Sequence, residues 1–237
     1  MTGARTPRAA VPRVPPPGPA GSRPDRAAGD GRALTVRTGV HELRGPGPTA
    51  LHYPAGDLLV VTGLPGSGKS TLMRRCVRAP LVDSQLVREE YAARLPGRLP
   101  YALYRPLARL VHYRRLRRAV LDGGPLAVHD CGTLPVVRAW LVRVAAGQGR
   151  RVHLLLLDAD PAEARSGQRR RGRWVSRYAF ARHRAAAARL RRLLLGAEAG
   201  DGAGAGAGAR PPAGCASAVV LDRAAARALR EIDFTAS

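Results

Sequence analysis

Lysine is almost absent from this chain of 237 residues. Of the 40 lysine and arginine side chains, only Lys69 is a lysine and the other 39 are arginines. Cysteine is also scarce: Cys76, Cys131 and Cys215 are too few and too irregularly spaced for a disulfide framework or a zinc site. Apolar runs are short, and none reaches the about 18 residues that span a bilayer. A cytoplasmic protein without a membrane partner is therefore expected.

Acidic side chains are few, and the formal net charge is +23. In an average protein this charge would favour a nucleic acid or an anionic surface as partner. Arginine, alanine, glycine and proline dominate the whole chain, however, and such a compositional bias raises the charge without any ligand. The charge alone leaves both interpretations open.

The single lysine lies in the stretch "GLPGSGKS", from Gly63 to Ser70, which has the G-x-x-x-x-G-K-S spacing of a phosphate-binding P-loop. A bias that replaced lysine elsewhere would have replaced this one too if arginine served equally. An ammonium is a compact point charge that fits between β- and γ-phosphate oxygens, whereas a guanidinium is a broad planar fork. A dinucleotide-binding loop fits less well, because Gly66, Gly68 and Thr71 do not complete G-x-G-x-x-G.

The residues around this motif predict a strand, a glycine loop and a helix. "DLLVVTG" reads as a buried parallel strand, and "KSTLMRRCV" has apolar residues at helical spacing. Backbone amides at such a helix N-terminus favour phosphate, and the Ser70 hydroxyl falls where a P-loop ligates magnesium. The residues predicted to bind ATP are Gly63, Gly66, Ser67, Gly68, Lys69, Ser70 and Thr71.

Composition divides the chain into a folded domain and flanking segments. Residues 1–30 are rich in proline, glycine and arginine and are predicted to be a disordered tail. Residues 31–56 are expected to be an N-terminal arm that forms a strand or a hairpin. Residues 57–237 are predicted to be the domain, with a flexible Gly/Ala-rich insertion at 196–214.

Five short apolar runs alternate with helical stretches, which predicts an α/β fold with three layers and a five-stranded parallel sheet. The runs are residues 57–63, 80–84, 124–130, 151–160 and 217–223. Ligands bind such sheets at the carboxyl ends of the strands. Asp83, Asp130 and Asp158 are therefore expected on the same edge as the P-loop.

Two predicted helical regions are strongly basic. Residues 101–121 carry six arginines and no acid, and residues 165–192 carry eleven arginines and no acid. They are either solvated helix faces with a few core contacts or anion-binding surfaces.

Four segments between Asp57 and Arg192 together resemble the small P-loop kinases of the adenylate-kinase-like group. They are "GLPGSGKSTL", "LVDSQLVRE", "LAVHD" and "LLLLDADPAEARSGQRRRGR". In pattern they are most similar to AAA-type ATP-binding proteins related to zeta toxins and polynucleotide 5′-kinases. The resemblance implies ATP and Mg²⁺ as cofactors, a five-stranded parallel sheet, and an arginine-rich lid after the fourth strand. The two basic regions fall where such kinases place the substrate segment and the lid.

On the acceptor side, the family places an aspartate near the end of the second strand and an arginine three residues later. Arg88 matches this substrate-binding arginine, but Gln85 stands in place of the aspartate. A glutamine cannot accept a proton, so Asp83 is the candidate base by a shift of register. The alternatives are that Asp83 caps the next helix, or that transfer is impaired.

The resemblance also implies a metal-binding carboxylate and lid arginines. Asp130 matches the Walker-B-like carboxylate that reaches magnesium through water, with a plain strand-end turn as the alternative. His129 is expected to be a packed or surface histidine. Arg171 and Arg173 are the candidates that contact the nucleotide or the transferred phosphoryl group, and Arg169 and Arg170 are alternatives.

The function predicted from these residues is Mg²⁺-dependent transfer of phosphate from ATP to a hydroxyl of a small molecule or a nucleic-acid end. The alternative is a regulatory protein that binds or hydrolyses ATP without phosphoryl transfer, which Gln85 favours. A mechanochemical ATPase fits less well, because no separate helical domain follows the core.

Overall fold

The computed structural model describes residues 32–94, 101–129, 135–170, 175–196 and 210–235. The predicted tail at residues 1–30 and most of the predicted insertion at 196–214 lie outside the described residues. The described chain forms these elements in order: β1 (Ala33–Thr35), β2 (Gly39–Leu43), β3 (Ala50–Pro54), β4 (Leu58–Gly63), α1 (Lys69–Cys76), β5 (Leu81–Val82), α2 (Ser84–Arg94), α3 (Tyr101–Leu121), β6 (Leu126–His129), α4 (Pro135–Gly147), β7 (Val152–Leu157), α5 (Pro161–Arg170), α6 (Arg177–Leu195), β8 (Cys215–Leu221), α7 (Arg223–Ala228) and β9 (Glu231–Thr235).

The main sheet has six parallel strands in the order β2-β8-β7-β4-β6-β5. All five predicted strands are present, as β4 to β8, but the predicted number of five was wrong. The sixth strand, β2, pairs with β8 from Gly39 opposite Ser217 to Leu43 opposite Leu221. Its sequence "GVHEL" is short and half-exposed, so it lacks the continuous apolar run that marks the inner strands. The hydrogen bonds with β8 make this segment a strand of the main sheet, although its composition does not predict one there.

A second parallel sheet has the strand order β1-β3-β9. It joins the N-terminal arm to the C-terminal end of the chain, with Ala50 opposite Glu231 and Pro54 opposite Thr235. Residues 31–56 thus supply strands to both sheets. Because these contacts join distant parts of the chain, local sequence patterns do not reveal them.

Side chains of the main sheet alternate between two buried cores, as expected for strands covered on both faces. On one face, Leu59 and Val61 belong to a core shared with α1, α7 and the three-stranded sheet. On the other face, Leu58 and Val60 belong to a core shared with α3, α4 and α6. The architecture therefore has three layers, as predicted, and one outer layer contains strands as well as helices. Within the described residues, no helix combines the length and apolar character needed to cross a membrane.

A buried polar network joins the amino ends of three inner strands. His153 Nε2 donates to Asp57 Oδ2 at 2.9 Å, and His153 Nδ1 is 2.7 Å from the Ser217 hydroxyl. Asp57 Oδ1 also accepts from the Arg151 amide at 2.8 Å. Hydrogen bonds link the three side chains as serine, histidine and aspartate, the same residue types as in a hydrolase triad. His153 and Ser217 are fully buried, however, so no substrate can reach them. The network holds β4, β7 and β8 in register instead.

Candidate nucleotide-binding site

The predicted P-loop connects the end of β4 at Gly63 to the start of α1 at Lys69. Gly68, immediately before the helix, has a φ of 103°, in the left-handed region that favours glycine. In the described part of the chain, the amides of Gly66, Gly68 and Ser70 donate to no backbone carbonyl or side chain. Unbonded amides at a helix N-terminus form a site for an anion.

The only lysine lies inside this loop. Lys69 Nζ donates to the carbonyl oxygens of Gly63 and Leu64 at 2.9 and 2.8 Å, and the residue is only 6% exposed. The ammonium is thus bound by two backbone carbonyls of the loop. A cation held in this position lies beside the amides that would bind phosphate.

Helix α5 packs directly on the P-loop, a contact that was not predicted from the sequence. Gln168 Nε2 donates to the Pro65 carbonyl at 2.8 Å. Gly167 lies so close that a Cβ atom there would be 2.5 Å from the carbonyl oxygen of Gly66. Glycine inside a helix is unfavourable, so "RSGQ" within an otherwise helical run was the available signal of close backbone contact.

Strand order explains how a carboxylate reaches the loop from the second predicted strand. Because β6 lies between β4 and β5, the residues that follow these three strands meet at one edge of the sheet. Asp83, which follows β5, is 3% exposed and accepts hydrogen bonds from the Ser70 hydroxyl and from the Gln85 amide, the latter at 2.9 Å. Asp83 thus contacts the P-loop. It also caps α2, which is the alternative role that the sequence left open for it.

Histidine 129, at the end of β6, is the third partner of Asp83. Its Nδ1 atom is 2.5 Å from Asp83 Oδ1, and Nδ1 is the donor because a carboxylate only accepts. Burial acts to raise the pKa of Asp83, but the hydrogen bonds from His129, Gln85 and Ser70 outweigh it and hold that pKa below its ordinary value. His129 is packed, as expected, but its contact with Asp83 was not predicted.

A second histidine, His112 on α3, lies near the same carboxylate. It is 8% exposed, and burial lowers its pKa while Asp83 acts in the opposite direction. His112 Nδ1 and His129 Nε2 are both buried and have no hydrogen-bond partner among the described residues. His112 was not identified from the sequence, since one histidine in a basic helix carries no pattern of its own.

The remaining predicted site residues are divided between described and undescribed parts of the chain. Asp158, after β7, lies at the expected edge and forms an ion pair with Arg191 at 2.9 Å. Gln85 donates to Glu89 Oε1 at 2.8 Å, and Arg88 is partly buried on α2. Asp130, Arg171 and Arg173 lie outside the described residues.

A cleft of about 200 Å³ lies beside the P-loop. Its lining includes Ser67, Thr71 and Leu157 on one side and Arg223 and Arg227 of α7 on the other. Ser67 Oγ is buried and has no hydrogen-bond partner within the described ranges. An unsatisfied buried hydroxyl next to unbonded amides fits an oxygen-rich ligand such as a phosphate chain.

The loop residues thus fit a nucleoside triphosphate, and Ser70 fits the type of site that holds magnesium. Among the described residues, no group of three or more histidine, cysteine or carboxylate side chains could hold a metal ion. Mg²⁺ does not need such a cage, because it is usually bound by one or two protein oxygens together with phosphate and water.

The parallel sheet and the loop at the carboxyl end of its inner strand define a P-loop protein with a three-layer α/β fold. A comparison with protein families matched the AAA domain over residues 58–193, more than half of the chain. The chain belongs to this family, which confirms the resemblance to small P-loop kinases of the AAA type.

Solved structures similar to this chain include two kinases. The APS kinase CysC of Mycobacterium tuberculosis, in complex with AMPPNP and APS, is 22% identical, with 74% of this chain and 94% of that chain covered and a TM-score of 0.38. A gluconokinase from Sinorhizobium meliloti 1021 is 15% identical, with 70% and 82% covered and a TM-score of 0.40. A comparison with curated protein sequences found no match.

Proposed function

We propose that this protein is an ATP-dependent phosphotransferase that acts on a hydroxyl group of a small molecule or of a nucleic-acid end. The observation that carries the proposal is the P-loop itself: unbonded amides of Gly66, Gly68 and Ser70 and the Lys69 ammonium lie together at the N-terminus of α1. Transfer of a phosphoryl group depends mainly on positioning and on charge neutralisation, which this arrangement supplies.

The triphosphate would bind along the loop from Gly63 to Thr71. In the free protein Lys69 Nζ contacts the carbonyls of Gly63 and Leu64, and in the proposed complex it moves to the β- and γ-phosphate oxygens. The nucleoside would lie in the adjacent cleft between Thr71 and Arg227. That cleft adjoins the loop without a barrier, since Ser67 and Gly68 line it as well.

Magnesium, when bound, would neutralise charge on the phosphates, with Ser70 and Asp130 as its proposed protein ligands. Asp83 would orient the Ser70 hydroxyl, since the carboxylate accepts a hydrogen bond from it and is fixed in turn by His129. The base role predicted for Asp83 stays a prediction. Its burial and its three hydrogen bonds favour the orienting role.

The remaining predicted roles concern the acceptor and the transferred group. Arg88 would hold the acceptor, as the resemblance implies, and Arg171 and Arg173 would contact the γ-phosphoryl group. Gly167 and Gln168, near the carboxyl end of α5, pack on Gly66 and Pro65 of the P-loop. This packing brings the described end of α5 to the phosphate site, which supports the proposal that lid arginines contact phosphate.

The proposal can be tested with γ-labelled ATP and a panel of acceptors that includes 5′-hydroxyl oligonucleotides and small alcohols. We expect transfer of label to one acceptor by the wild type, loss of transfer in Lys69→Ala, and full transfer in Arg37→Ala, which alters an exposed arginine between β1 and β2. Hydrolysis of ATP without transfer to any acceptor would favour the regulatory alternative. Failure of the wild type to bind ATP would contradict the proposal.

A further inference from the structure

A second polar cleft, of about 470 Å³, lies between α5 and the middle of α6. Three arginines line it, Arg165 and Arg169 from α5 and Arg184 from α6, together with Ser166 and a single carboxylate, Asp160. This cleft is separate from the one beside the P-loop, and no residue lines both.

The α5–α6 cleft lies to one side of the contact between α5 and the P-loop. Ala164, Gly167 and Gln168 form the face of α5 that packs on the P-loop. At 3.6 residues per turn, Arg165 and Arg169 project about 100° and 140° around the helix from Ala164. They therefore lie beside the face that meets the P-loop and form a separate lining.

The positive charge of the cleft exceeds the single negative charge of Asp160, the one carboxylate among the described residues that line it. Asp160 Oδ1 accepts hydrogen bonds from the amides of Ala162 and Glu163 at the start of α5. Neither Arg165, Arg169 nor Arg184 forms an ion pair with a carboxylate in the part of the chain that the structure describes. Arg165 and Arg169 are one helical turn apart, a spacing at which like charges repel. A bound anion would relieve this repulsion.

One of the three guanidinium groups is already held in place. The Arg165 guanidinium lies over the ring of Phe180, 4.8 Å from its centroid, and Phe180 is 2% exposed. This stacking uses the flat face of the guanidinium and leaves the N–H groups at its edge available to a ligand. Ser166, beside it, already accepts a hydrogen bond from Arg170 Nη1 at 2.9 Å.

We propose that the α5–α6 cleft binds phosphate groups of a second ligand, distinct from the nucleotide at the P-loop. Guanidinium groups bind phosphate through paired N–H donors, and three of them around an open cleft can contact more than one phosphate. The same chemistry is offered by a free polyphosphate and by the backbone of a single-stranded nucleic acid.

The test compares two variants with the same change in charge. In the first, Arg165, Arg169 and Arg184 are replaced by glutamine. In the control, three exposed arginines outside both basic regions, Arg32, Arg37 and Arg143, are replaced by glutamine. Binding of tripolyphosphate is measured by calorimetry in a Lys69→Ala background, which removes the P-loop lysine. Binding of a labelled single-stranded oligonucleotide is measured by anisotropy over a range of salt concentrations.

We expect the cleft variant to bind at least one of these probes at least about tenfold more weakly, and the control to change by less than about threefold. If the oligonucleotide is the ligand, loss of three contacts should reduce the slope of log affinity against log salt by about 2. If only tripolyphosphate binding is lost, the ligand is a small polyphosphate. Equal weakening in both variants, or no weakening of either probe, would overturn the proposal. Thermal melting verifies that both variants fold, and ATP affinity at the P-loop tests the proposed function separately.

Discussion

Replacing Gly167 by alanine tests whether α5 supports the shape of the P-loop. A Cβ atom at this position would lie 2.5 Å from the carbonyl oxygen of Gly66, and its other near neighbours are also backbone atoms of Gly66. Such atoms cannot rotate away as a flexible side chain would. Either α5 or the phosphate-binding loop must therefore shift.

The expected magnitude follows from two opposing terms. Alanine is favoured over glycine inside a helix by about 1 kcal/mol. Overpacking against a fixed neighbour costs about 1–3 kcal/mol. We therefore expect the free energy of unfolding to fall by about 1 kcal/mol. Since displacement of Gly66 disturbs the anion site, ATP should bind about tenfold more weakly, which corresponds to about 1.4 kcal/mol.

Gly147, the last residue of α4, provides a matched control. A Cβ atom at Gly147 would have no neighbour within 4 Å, so Gly147→Ala keeps the gain in helix propensity without the clash. ATP affinity is measured by calorimetry and stability by urea unfolding for both variants. Equal ATP affinities for Gly167→Ala, Gly147→Ala and the wild type would refute the proposed support of the loop by α5.

Three further predictions concern the polar side chains of the site and the core. Asp83→Asn retains a good helix cap, and transfer should fall about 10²- to 10⁴-fold. If the Mg²⁺-dependent part of ATP binding is lost as well, Asp83 orients Ser70. If ATP binding is unchanged, Asp83 is the base. Gln85→Asp should lower the transfer activity or leave it unchanged, because the Gln85 side chain donates to the Glu89 carboxylate and an aspartate at this position would be repelled by Glu89. A large increase in transfer would show that the acceptor site of the natural protein is disabled. The free energy of unfolding should decrease as the pH falls below about 6.5, because burial lowers the pKa of His112 and His153 and the unfolded chain then binds protons that the folded chain does not. The free energy of unfolding should change by at most about 1.4 kcal/mol per pH unit for each histidine. Urea unfolding at pH 7.5 and at pH 5.5 measures this change, and a higher stability at pH 5.5 would contradict the prediction.

The sequence predicted those parts of the fold that local patterns encode. The inner strands are continuous apolar runs, and the P-loop is defined by residue types at fixed spacing, so both were found. A strand was expected in the N-terminal arm, but the place of β2 in the main sheet was missed because it depends on pairing with β8, more than 170 residues away. The three-stranded sheet was missed for the same reason, since it joins β3 to β9 across almost the whole domain.

In the site, the residue types were easier to predict than their partners. Asp83 was expected at the P-loop edge because parallel strands end there, and it does lie against Ser70. Its contact with His129 depends on β6 lying between β4 and β5, and the sequence does not specify this strand order. The contact of Gly167 with Gly66 likewise requires the packing of two distant segments.

Calorimetric titration of ATP into the wild type and into Lys69→Ala tests the central claim most directly. Lys69→Ala should retain the thermal stability of the wild type to within a few degrees, because the Lys69 ammonium bonds to backbone carbonyls of the loop. Its ATP affinity should be lower by at least about tenfold, and Lys69→Arg should restore little of it, because a guanidinium does not fit the same space. Equal ATP affinities of wild type and Lys69→Ala would contradict the assignment of this loop as the nucleotide-binding site.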